Sequence, residues 1–320
     1  MIIITGGAGF IGSALLKGLN DDGIYDIILT DRLGKSPKWK NLVGCHFDEF
    51  IHKDQFINWL KFNQKPIDAV IHMGACSSTT ELDADYLMSN NTNFSKSIFR
   101  FCQDTSTPLI YASSAATYGT GGEVFSDDHD IATNLKPGNM YGFSKHCFDL
   151  WCLSQGRQKF PWYGLKFFNV FGPGEYHKGA QASVVFHAFN QINETGRLKL
   201  FKSYKEPYAH GEQMRDFVYV KDVVSVVKFL LNQKEQKASG LYNVGTGKAR
   251  TFLDLGKATF TALGHEAAID WIEMPETIRH SYQYYTEASM GKLRNLGYDK
   301  PFASLEDSIN DYVQNHLKEL

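Results

Sequence analysis

A glycine-rich turn between a short apolar segment and a helix constrains this 320-residue chain more than any other feature. Met1–Thr5 is apolar and β-branched, and Gly6, Gly9 and Gly12 follow it at the start of a helical pattern. Glycine is required where the backbone takes positive φ, approaches a pyrophosphate, or lets a helix pack closely on a strand. The helix N-terminus then offers free N–H groups to phosphates. The turn predicts a dinucleotide site, with a tight structural turn as the simpler alternative.

Short apolar segments alternate with longer helical ones through the first half of the chain. Besides Met1–Thr5, the predicted buried strands are Asp26–Asp31, Ala69–Met73 and Leu109–Ser113. Helical spacing covers Gly12–Asn20, Asp83–Cys102 and Met140–Leu153. This alternation predicts an α/β fold, a Rossmann-type doubly wound parallel sheet with helices on both faces. Asp31 ends the second strand about 20 residues after the turn, where the ribose hydroxyls of a dinucleotide are expected.

The second half of the chain has a different pattern. Its predicted elements are two strands (Tyr163–Val170 and Arg215–Val220), a helix (Ala182–Glu194) and a long polar segment (Leu198–Gln213). Because no linker or repeat separates the halves, we expect a smaller α/β substrate-binding lobe that shares one cleft with the sheet. The expected division is a dinucleotide-binding domain at 1–170, to which the chain returns at about 215–240, and a lobe formed mainly by 171–320.

Composition and charge exclude several classes of protein. The 33 Lys and Arg residues are balanced by 35 Asp and Glu, and the formal charge of −2 argues against nucleic-acid binding, which needs a cationic field. No apolar run approaches the roughly 20 residues of a membrane-spanning helix, and no basic signal-peptide segment precedes the first strand. Five cysteines without a C-x-x-C pair predict reduced thiols and no metal site. We therefore expect a cytoplasmic protein with no nucleic-acid or membrane partner.

The loop after the second predicted strand determines the expected cofactor. Asp31 favours NAD, because its charge repels a 2′-phosphate. Arg32 is adjacent, Lys35 and Lys38 follow, and Arg binds phosphate bidentately. The simpler alternative is three solvated surface cations. We expect NADP, with NAD as the open alternative.

Tyr141 and Lys145 are four residues apart and therefore lie on one face of a helix. A phenol with its ordinary pKa of about 10 is a poor base, and a neighbouring ammonium brings that pKa nearer to neutral. Ser114 follows the strand Leu109–Ser113, where its hydroxyl would point into the cleft at the carboxyl end of the sheet. The simpler alternative is a chance Tyr–Lys pair on a surface helix.

The glycine turn, Ser113–Gly119 (S-S-A-A-T-Y-G) and Y-x-x-x-K, in this order, resemble the extended short-chain dehydrogenase/reductase family of nucleotide-sugar enzymes. Four more segments resemble the ADP-heptose 6-epimerases of that family: Gly74–Glu81, Asn169–Pro173, His177–Gly179 and Arg215–Val220. The resemblance implies that Ser114 hydrogen-bonds the reacting oxygen, Tyr141 moves its proton and Lys145 tunes Tyr141. It also implies an ADP-heptose substrate, a role in lipopolysaccharide inner-core supply, and a homo-oligomer, commonly a pentamer.

The same resemblance extends the two binding sites. The residues that it adds to the cofactor site are Phe10, Ile11, Lys38, Lys53, Ala75, Cys76, Ser77, Asn90 and Val170. The residues that it places against the sugar nucleotide are Asn169, His187, Phe201, Arg215 and Tyr282, with Arg215 on the pyrophosphate. The simpler alternatives are small size for Cys76, a structural hydrogen bond for His187 and lobe packing for Tyr282.

Inverting an unactivated secondary alcohol requires oxidation, because nothing stabilises a carbanion at that carbon. Oxidation to a ketone at carbon 6 and return of the hydride to the opposite face achieves the inversion, provided that the nicotinamide is retained. The oxygen then occupies two positions, and each needs an acid/base group. Tyr141 serves one position, and the family pattern implies that Lys178 serves the other. The alternative for Lys178 is that it only positions the substrate.

Two departures from the family pattern concern the substrate side. Gly174 stands where a basic residue is often found, which removes one possible cation. Lys202–Met214 is several residues longer than the usual segment. The contacts around Phe201–Tyr204 therefore stay open.

Two other functions also stay open. The first is a NAD-dependent 4-epimerase or dehydratase of UDP- or dTDP-sugars, although Ala115 and Ala116 supply no carboxylate for dehydration. The second is a non-catalytic dinucleotide sensor, which would have no need of Ser114, Tyr141 and Lys145 together.

Overall fold

Parallel strands with helices between them form most of the protein, seen in a computed structural model that describes residues 1–119, 125–233, 238–279 and 282–319. The strands are β1 (Ile2–Thr5), β2 (Ile27–Asp31), β3 (Glu49–His52), β4 (Ala69–His72), β5 (Leu109–Ser114), β6 (Trp162–Phe167), β7 (Asn169–Phe171), β8 (Leu198–Phe201), β9 (Met214–Arg215), β10 (Phe217–Tyr219), β11 (Gly240–Val244), β12 (Arg250–Thr251) and β13 (Ile269–Ile272). The helices are α1 (Phe10–Asp21), α2 (Lys53–Phe62), α3 (Ala84–Leu87), α4 (Phe94–Thr105), α5 (His129–Ala132), α6 (Met140–Ser154), α7 (Val184–Thr195), α8 (Val220–Leu231), α9 (Phe252–Leu263), α10 (Glu276–Arg279), α11 (Gly291–Asn295) and α12 (Leu305–Tyr312).

Across the described ranges, the central sheet has seven parallel strands in the order β11-β6-β5-β4-β1-β2-β3. The chain builds outward from β1 through β2 and β3, and then crosses to the other side of β1 to form β4. Open α/β sheets bind ligands at the carboxyl ends of the strands beside such a reversal. The predicted Rossmann-type α/β fold is confirmed.

Successive residues of the central strands face opposite layers of helices. Ile3 and Ile28 pack in a core with α2, α4 and α6, whereas Ile4 and Leu29 pack in a core with α1 and α8. All four side chains are fully buried. A strand covered on both faces has to be apolar at every position, which explains why these strands are continuous apolar runs in the sequence.

A further core lies among α7, β8, α9 and α12, with Val185, Leu198, Phe260 and Ile309 buried in it. Three two-stranded sheets accompany it: β8 pairs with β13, β7 with β10, and β9 with β12. The start of α7 reaches the carboxyl ends of the central strands, so this core supports one wall of the cleft described below.

Two predicted strands are wrong as continuous elements. Tyr163–Val170 breaks after Phe168, whose N–H still bonds to the Val244 carbonyl of β11, because the next residue leaves the central sheet to pair with β10. Arg215–Val220 divides at Asp216 between β9 and β10, and its last residue begins α8.

Other boundaries also differ from the sequence patterns. The predicted helix Asp83–Cys102 is interrupted by a π-helical turn, Met88–Asn93, between α3 and α4. The polar segment Leu198–Gln213 contains β8. The sequence patterns do not predict β3 and β11, which lie at the two edges of the central sheet.

Candidate active site

A cavity of about 610 Å³ opens at the carboxyl ends of the central strands. The predicted site residues that line it are Gly6, Gly9, Phe10, Ile11, Gly12, Asp31, Lys38, Ala75, Ser77, Ser114, Tyr141, Lys145, Asn169, Val170 and Lys178. A smaller cavity of about 220 Å³ shares some of these residues and adds Arg32, Lys53, Cys76 and Asn90. The structure therefore brings the predicted cofactor residues and the predicted catalytic residues to one cleft.

The glycine turn is packed backbone against backbone. Gly6 has φ +65°, and a Cβ added to it would lie 2.6 Å from the Gly74 Cα atom. A Cβ on Gly12 would lie 2.1 Å from the Gly6 carbonyl oxygen. Gly9 precedes α1, where neither a side-chain cap nor an acidic residue of the first turn competes for the free N–H groups. This arrangement fits a pyrophosphate, which is bound by such N–H groups and by the helix dipole.

The Asp31 carboxylate accepts three hydrogen bonds from its own chain at the end of β2. One oxygen accepts the Ala8 N–H at 3.0 Å, and the other accepts the Arg32 N–H at 2.7 Å. The Lys38 ammonium donates to this second oxygen at 2.6 Å. Asp31 therefore stabilises the glycine turn and is neutralised by Lys38 at the edge of the cleft.

Cationic side chains line the smaller cavity beside Asp31. Both carboxylate oxygens of Asp54 accept hydrogen bonds from the Arg32 guanidinium, each at 3.0 Å. Lys53 donates a hydrogen bond to the amide oxygen of Asn90. Burial lowers the pKa of Lys53, and the Arg32 cation lowers it further. This cavity is therefore electrostatically suited to an anion.

The π-helical turn positions a residue that the sequence analysis missed. Asn91 accepts the Cys76 N–H at 2.9 Å and donates to the Cys76 carbonyl at 2.9 Å. It also donates to the Ser144 hydroxyl on α6 at 3.0 Å. Asn91 thus joins the loop after β4 to the helix that carries Tyr141. The only sequence signal is a polar residue inside a helical pattern, and π-turns of this kind are frequent at functional sites.

Ser114 and Tyr141 approach each other because α6 starts directly beside the end of β5. The Asn139 side chain caps α6 by accepting the Gly142 N–H at 2.8 Å. A Cβ on Gly142 would lie 2.5 Å from the Ala116 carbonyl oxygen, so glycine permits this close approach. The Ser114 hydroxyl lies within hydrogen-bonding reach of the Tyr141 phenol.

Burial governs the protonation of Tyr141. Burial raises the pKa of the Tyr141 phenol, and the Ser114 hydroxyl offsets only part of that rise. The Lys145 ammonium donates instead to the Ala112 carbonyl at 2.7 Å. Burial lowers the pKa of Lys145 to about 8, against the opposing charge of Asp149. Desolvation therefore dominates the pKa of the phenol in this arrangement, and its lowering by Lys145 stays a prediction.

Lys178 lines the same cavity as the Tyr–Lys pair, half-buried and with its ammonium 5.6 Å from the Phe10 ring centroid. Burial lowers the pKa of Lys178, and the nearby Glu175 carboxylate opposes that change. Glu175 is itself buried and accepts hydrogen bonds from the Ser183 hydroxyl at 2.7 Å and the Tyr312 hydroxyl at 3.1 Å. Glu175, which the sequence analysis missed, holds the loop of Lys178 against α7 and α12.

Two side-chain bridges cross the cleft, and the sequence patterns predict neither because their partners are distant in the chain. Asn41 donates to the Ala8 carbonyl at 3.1 Å and to the Gly174 carbonyl at 2.9 Å. Gln181 donates to the Ser78 hydroxyl at 2.5 Å. Through these contacts the loop of Lys178 is tied to the glycine turn and to the loop after β4.

The remaining predicted substrate residues lie outside the linings of both cavities. Phe201, Arg215 and Tyr282 form one cluster, with the Arg215 guanidinium 5.1 Å and the Phe201 ring 6.3 Å from the Tyr282 ring. Arg215 is buried, which lowers its pKa. His187 lies on α7 beside Phe186. Of the predicted substrate residues, only Asn169 lines the larger cavity.

No described helix combines the length and the apolar character needed to cross a membrane. Among the described residues, His, Cys, Asp and Glu side chains form no group of three or more that could hold a metal ion.

A Rossmann-type sheet, a glycine turn and a Ser–Tyr–Lys set in one cleft define a dinucleotide-dependent enzyme of the short-chain dehydrogenase/reductase type. Residues 2–245 match the model of the NAD dependent epimerase/dehydratase family. A Fusobacterium nucleatum ADP-L-glycero-D-manno-heptose-6-epimerase is 52% identical over 99% of this chain and 98% of its own length. A Nitratidesulfovibrio vulgaris protein of the same name is 50% identical over 99% of this chain and 98% of its own length.

Solved structures agree with the sequence relatives. The Helicobacter pylori ADP-L-glycero-D-manno-heptose-6-epimerase superposes with a TM-score of 0.83 at 30% identity and covers 100% of this chain and 96% of its own. A UDP-N-acetylglucosamine 4-epimerase from Methanobrevibacter ruminantium shares the fold, with a TM-score of 0.84 at 22% identity over 100% of this chain and 98% of its own. The chain therefore belongs to the NAD-dependent epimerase/dehydratase family and, within it, to the heptose 6-epimerases.

Proposed function

We propose that the protein inverts carbon 6 of ADP-glycero-manno-heptose with a retained NADP. The observation that carries this proposal is that Tyr141, Lys178 and the glycine turn line one cavity. The relatives that share half of the sequence bear the name of this reaction.

Tyr141 and Lys178 provide the two acid/base groups that the inversion requires. When bound, the nicotinamide accepts and returns a hydride at carbon 6. Tyr141 moves the proton of the substrate oxygen in one orientation, and Ser114 hydrogen-bonds that oxygen. Lys178 moves the proton in the other orientation, because its lowered pKa makes a neutral amine more accessible than in water. Lys145 holds a ribose hydroxyl and keeps a positive charge near Tyr141.

The preference for NADP is supported by the cations around Asp31. Lys38 already neutralises the Asp31 carboxylate, so the carboxylate no longer acts as a bare charge against a 2′-phosphate. Arg32 and Lys53 line the adjoining cavity. Burial and the Arg32 cation lower the pKa of Lys53, and an anion in this cavity would stabilise the charged form of Lys53 against both effects. NAD is the alternative, since Asp31 retains an oxygen at the site where a ribose hydroxyl is expected.

The division into domains is proposed from packing. α8 packs on α1, and β11 pairs with β6, so the chain returns to the dinucleotide-binding part (1–170) between about 215 and 240. The core of α7, α9 and α12 belongs to the part formed mainly by 171–320. We assign Arg215 to the pyrophosphate and Tyr282 to the sugar nucleotide from the family resemblance.

Assembly, location and pathway are proposed from the resemblance alone. We expect a cytoplasmic homo-oligomer, a pentamer in the form most common for the family, that supplies heptose to the lipopolysaccharide inner core. Light scattering tests the assembly, because a stable monomer of about 36 kDa at micromolar concentration would contradict it.

The experiment that tests the function offers the purified protein three sugar nucleotides and identifies the products by NMR. We expect epimerisation of ADP-D-glycero-D-manno-heptose and no turnover of UDP-glucose or dTDP-glucose. Turnover of a UDP- or dTDP-sugar without ADP-heptose turnover would favour the 4-epimerase or dehydratase alternative. Turnover of none of them, with dinucleotide bound, would favour the non-catalytic sensor. Identification of the dinucleotide released on denaturation distinguishes NADP from NAD.

A further inference from the structure

Directly behind the Ser–Tyr–Lys set lies a buried ion pair that the proposed mechanism does not use. The Lys166 ammonium on β6 is 2.7 Å from the Asp149 carboxylate on α6, and both side chains are fully buried. The desolvation of two charges offsets most of the attraction between them, so such a pair adds little to stability compared with apolar residues. Its presence at this position therefore calls for another role.

The further hydrogen bonds of the pair converge on the strand end that carries Ser114. The Ser113 hydroxyl donates to Asp149 at 2.6 Å. The Lys166 ammonium donates to the Thr117 hydroxyl at 2.7 Å, and that hydroxyl donates to the Ser114 carbonyl at 2.7 Å. The residue before Ser114 and the turn after it are thus both fixed by one ion pair.

Asp149 also lies on the helix of the other two catalytic groups. It follows Lys145 by one helical turn and Tyr141 by two, so the three side chains share one face of α6. The Asp149 charge raises the pKa of Lys145 against the effect of burial. The ion pair therefore connects β5 and α6 at the point where Ser114 meets Tyr141.

We propose that Asp149 and Lys166 are a positioning pair that fixes the strand end carrying Ser114 against the helix carrying Tyr141 and Lys145. This proposal rests on the proposed function, because the geometry that it protects is the acid/base geometry of the epimerase. Asp149 supplies the counter-charge of Lys145, and Lys166 balances Asp149 and anchors the turn after Ser114.

The test replaces the two charges together, because a single substitution would leave an unpaired buried charge. Asp149→Asn with Lys166→Met keeps the shapes. Ser113 and Tyr111 donate to different oxygens of Asp149, so the asparagine oxygen accepts one of these hydroxyls and the asparagine NH2 donates to the other. We expect this variant to fold, to keep its dinucleotide and a melting temperature close to that of the wild type, and to lose at least tenfold in kcat with KM changed less than threefold. Lys166→Arg, which conserves the pair, should stay within threefold of the wild type in kcat.

A matched control replaces an exposed ion pair, Lys65 and Asp48, which lie 3.1 Å apart and outside the linings of both cavities. Lys65→Met with Asp48→Asn should leave kcat unchanged. The pH dependence of kcat provides a readout that a purely structural role of the pair would not change. Without the Asp149 charge the pKa of Lys145 falls, so the loss of kcat at high pH should begin at lower pH than in the wild type.

A folded double variant with wild-type kcat and an unchanged pH profile would overturn the positioning role. If the double variant does not fold, Thr117→Val interrupts the path from Lys166 to Ser114 while the ion pair stays, and undiminished kcat in that variant would overturn it equally. An inactive wild type would count against the proposed function instead. In that case a crystal structure of the double variant tests the positioning role. The proposal requires the Ser114 and Tyr141 hydroxyls to lie farther apart in this variant than in the wild type, and an unchanged distance between them would contradict the proposal.

Discussion

The Lys38 ammonium lies 2.6 Å from the Asp31 carboxylate, at the mouth of a cavity that Arg32 also lines. By the ribose rule alone, an acidic residue at the end of the second strand indicates NAD. The ion pair changes that interpretation, because a neutralised carboxylate permits an anion nearby. The cofactor preference therefore depends on the neighbours of Asp31 rather than on Asp31 itself.

Replacing Arg32 with Ala should weaken NADP binding about tenfold or more and NAD binding less than threefold. A hydrogen bond to a charged group is worth about 1.5–3 kcal/mol, and only NADP offers the phosphate. Calorimetry on protein freed of bound dinucleotide gives both dissociation constants. Lys35→Ala is the matched control, since Lys35 is an exposed cation of the same loop outside both cavity linings. Equal losses for both cofactors would remove Arg32 from the 2′-phosphate site.

The glycine turn provides a test of the cofactor site that does not depend on activity. Gly6 and Gly23 both have positive φ, +65° and +77°, but only Gly6 would place a Cβ against another backbone, at Gly74. Ala at either position costs about 1–2 kcal/mol of backbone strain. Gly23→Ala should lose about that much free energy of unfolding and keep its dinucleotide, whereas Gly6→Ala should lose the dinucleotide. Dinucleotide retained in full by Gly6→Ala would contradict the assignment of the turn.

The buried histidine beneath the turn makes stability depend on pH. His72 contacts the Thr5 hydroxyl at 2.6 Å and the Ser95 hydroxyl at 2.8 Å, and burial lowers its pKa to about 3. In the unfolded chain His72 binds a proton as the pH falls through about 6.5, whereas in the folded chain it does not do so until about pH 3. The contribution of neutral His72 to the free energy of unfolding is therefore present above pH 6.5 and is lost as the pH falls from 6.5 toward 3.

Between pH 7 and pH 5, His72 should account for a loss of about 2 kcal/mol in the free energy of unfolding. Urea unfolding at both pH values measures the difference, and His72→Gln should show a correspondingly shallower dependence on pH. His265→Gln, at an exposed position, is the control and should keep the wild-type dependence. A wild-type slope in His72→Gln would show that other groups titrate instead.

The parts of the fold that sequence predicts well are the central strands, for a physical reason. Ile3, Ile4, Ile28 and Leu29 are buried on both faces of the sheet, so the strands are continuous apolar runs. β11 is harder to predict, because its sequence begins at Gly240 and includes a buried polar residue, Asn243, that bonds to the Phe125 and Ser289 carbonyls. That kind of burial depends on partners far along the chain.

The same distinction applies to the site. Gly6, Ser114 and Tyr141 belong to local motifs whose spacing carries their chemistry, and the structure brings all three to one cleft. Asn41 and Glu175 act through contacts with residues more than 130 positions away in the chain, Gly174 and Tyr312, and no sequence spacing predicts such contacts. The direction in which the pKa of Tyr141 shifts could not be predicted from the sequence either, because it depends on how completely the phenol is buried.

Tyr141→Phe removes one of the two proposed acid/base groups and leaves the ring. Because Lys145 keeps its own contact with the Ala112 carbonyl, we expect the dinucleotide to stay bound. Epimerase turnover should fall about 10²–10⁴-fold, the usual loss for a positioned acid/base group. The released dinucleotide and the rate of ADP-heptose epimerisation are measured on the same sample. Turnover within tenfold of the wild type would contradict the role of Tyr141.

The central claim is that two groups serve the two orientations of the substrate oxygen, and it depends most on Lys178. Lys178→Met removes the amine and keeps an unbranched side chain that can lie against Phe10. A variant that disproportionates the 6-aldehyde analogue to acid and alcohol would demonstrate that its dinucleotide and one acid/base group still work.

The measurement that tests this claim most directly is the kcat of Lys178→Met for ADP-heptose epimerisation, with sugar-nucleotide binding measured alongside. The account predicts a loss of about 10²–10⁴-fold in kcat while the substrate still binds and the dinucleotide is retained. Near wild-type turnover would contradict it and would leave Lys178 with a role in positioning alone.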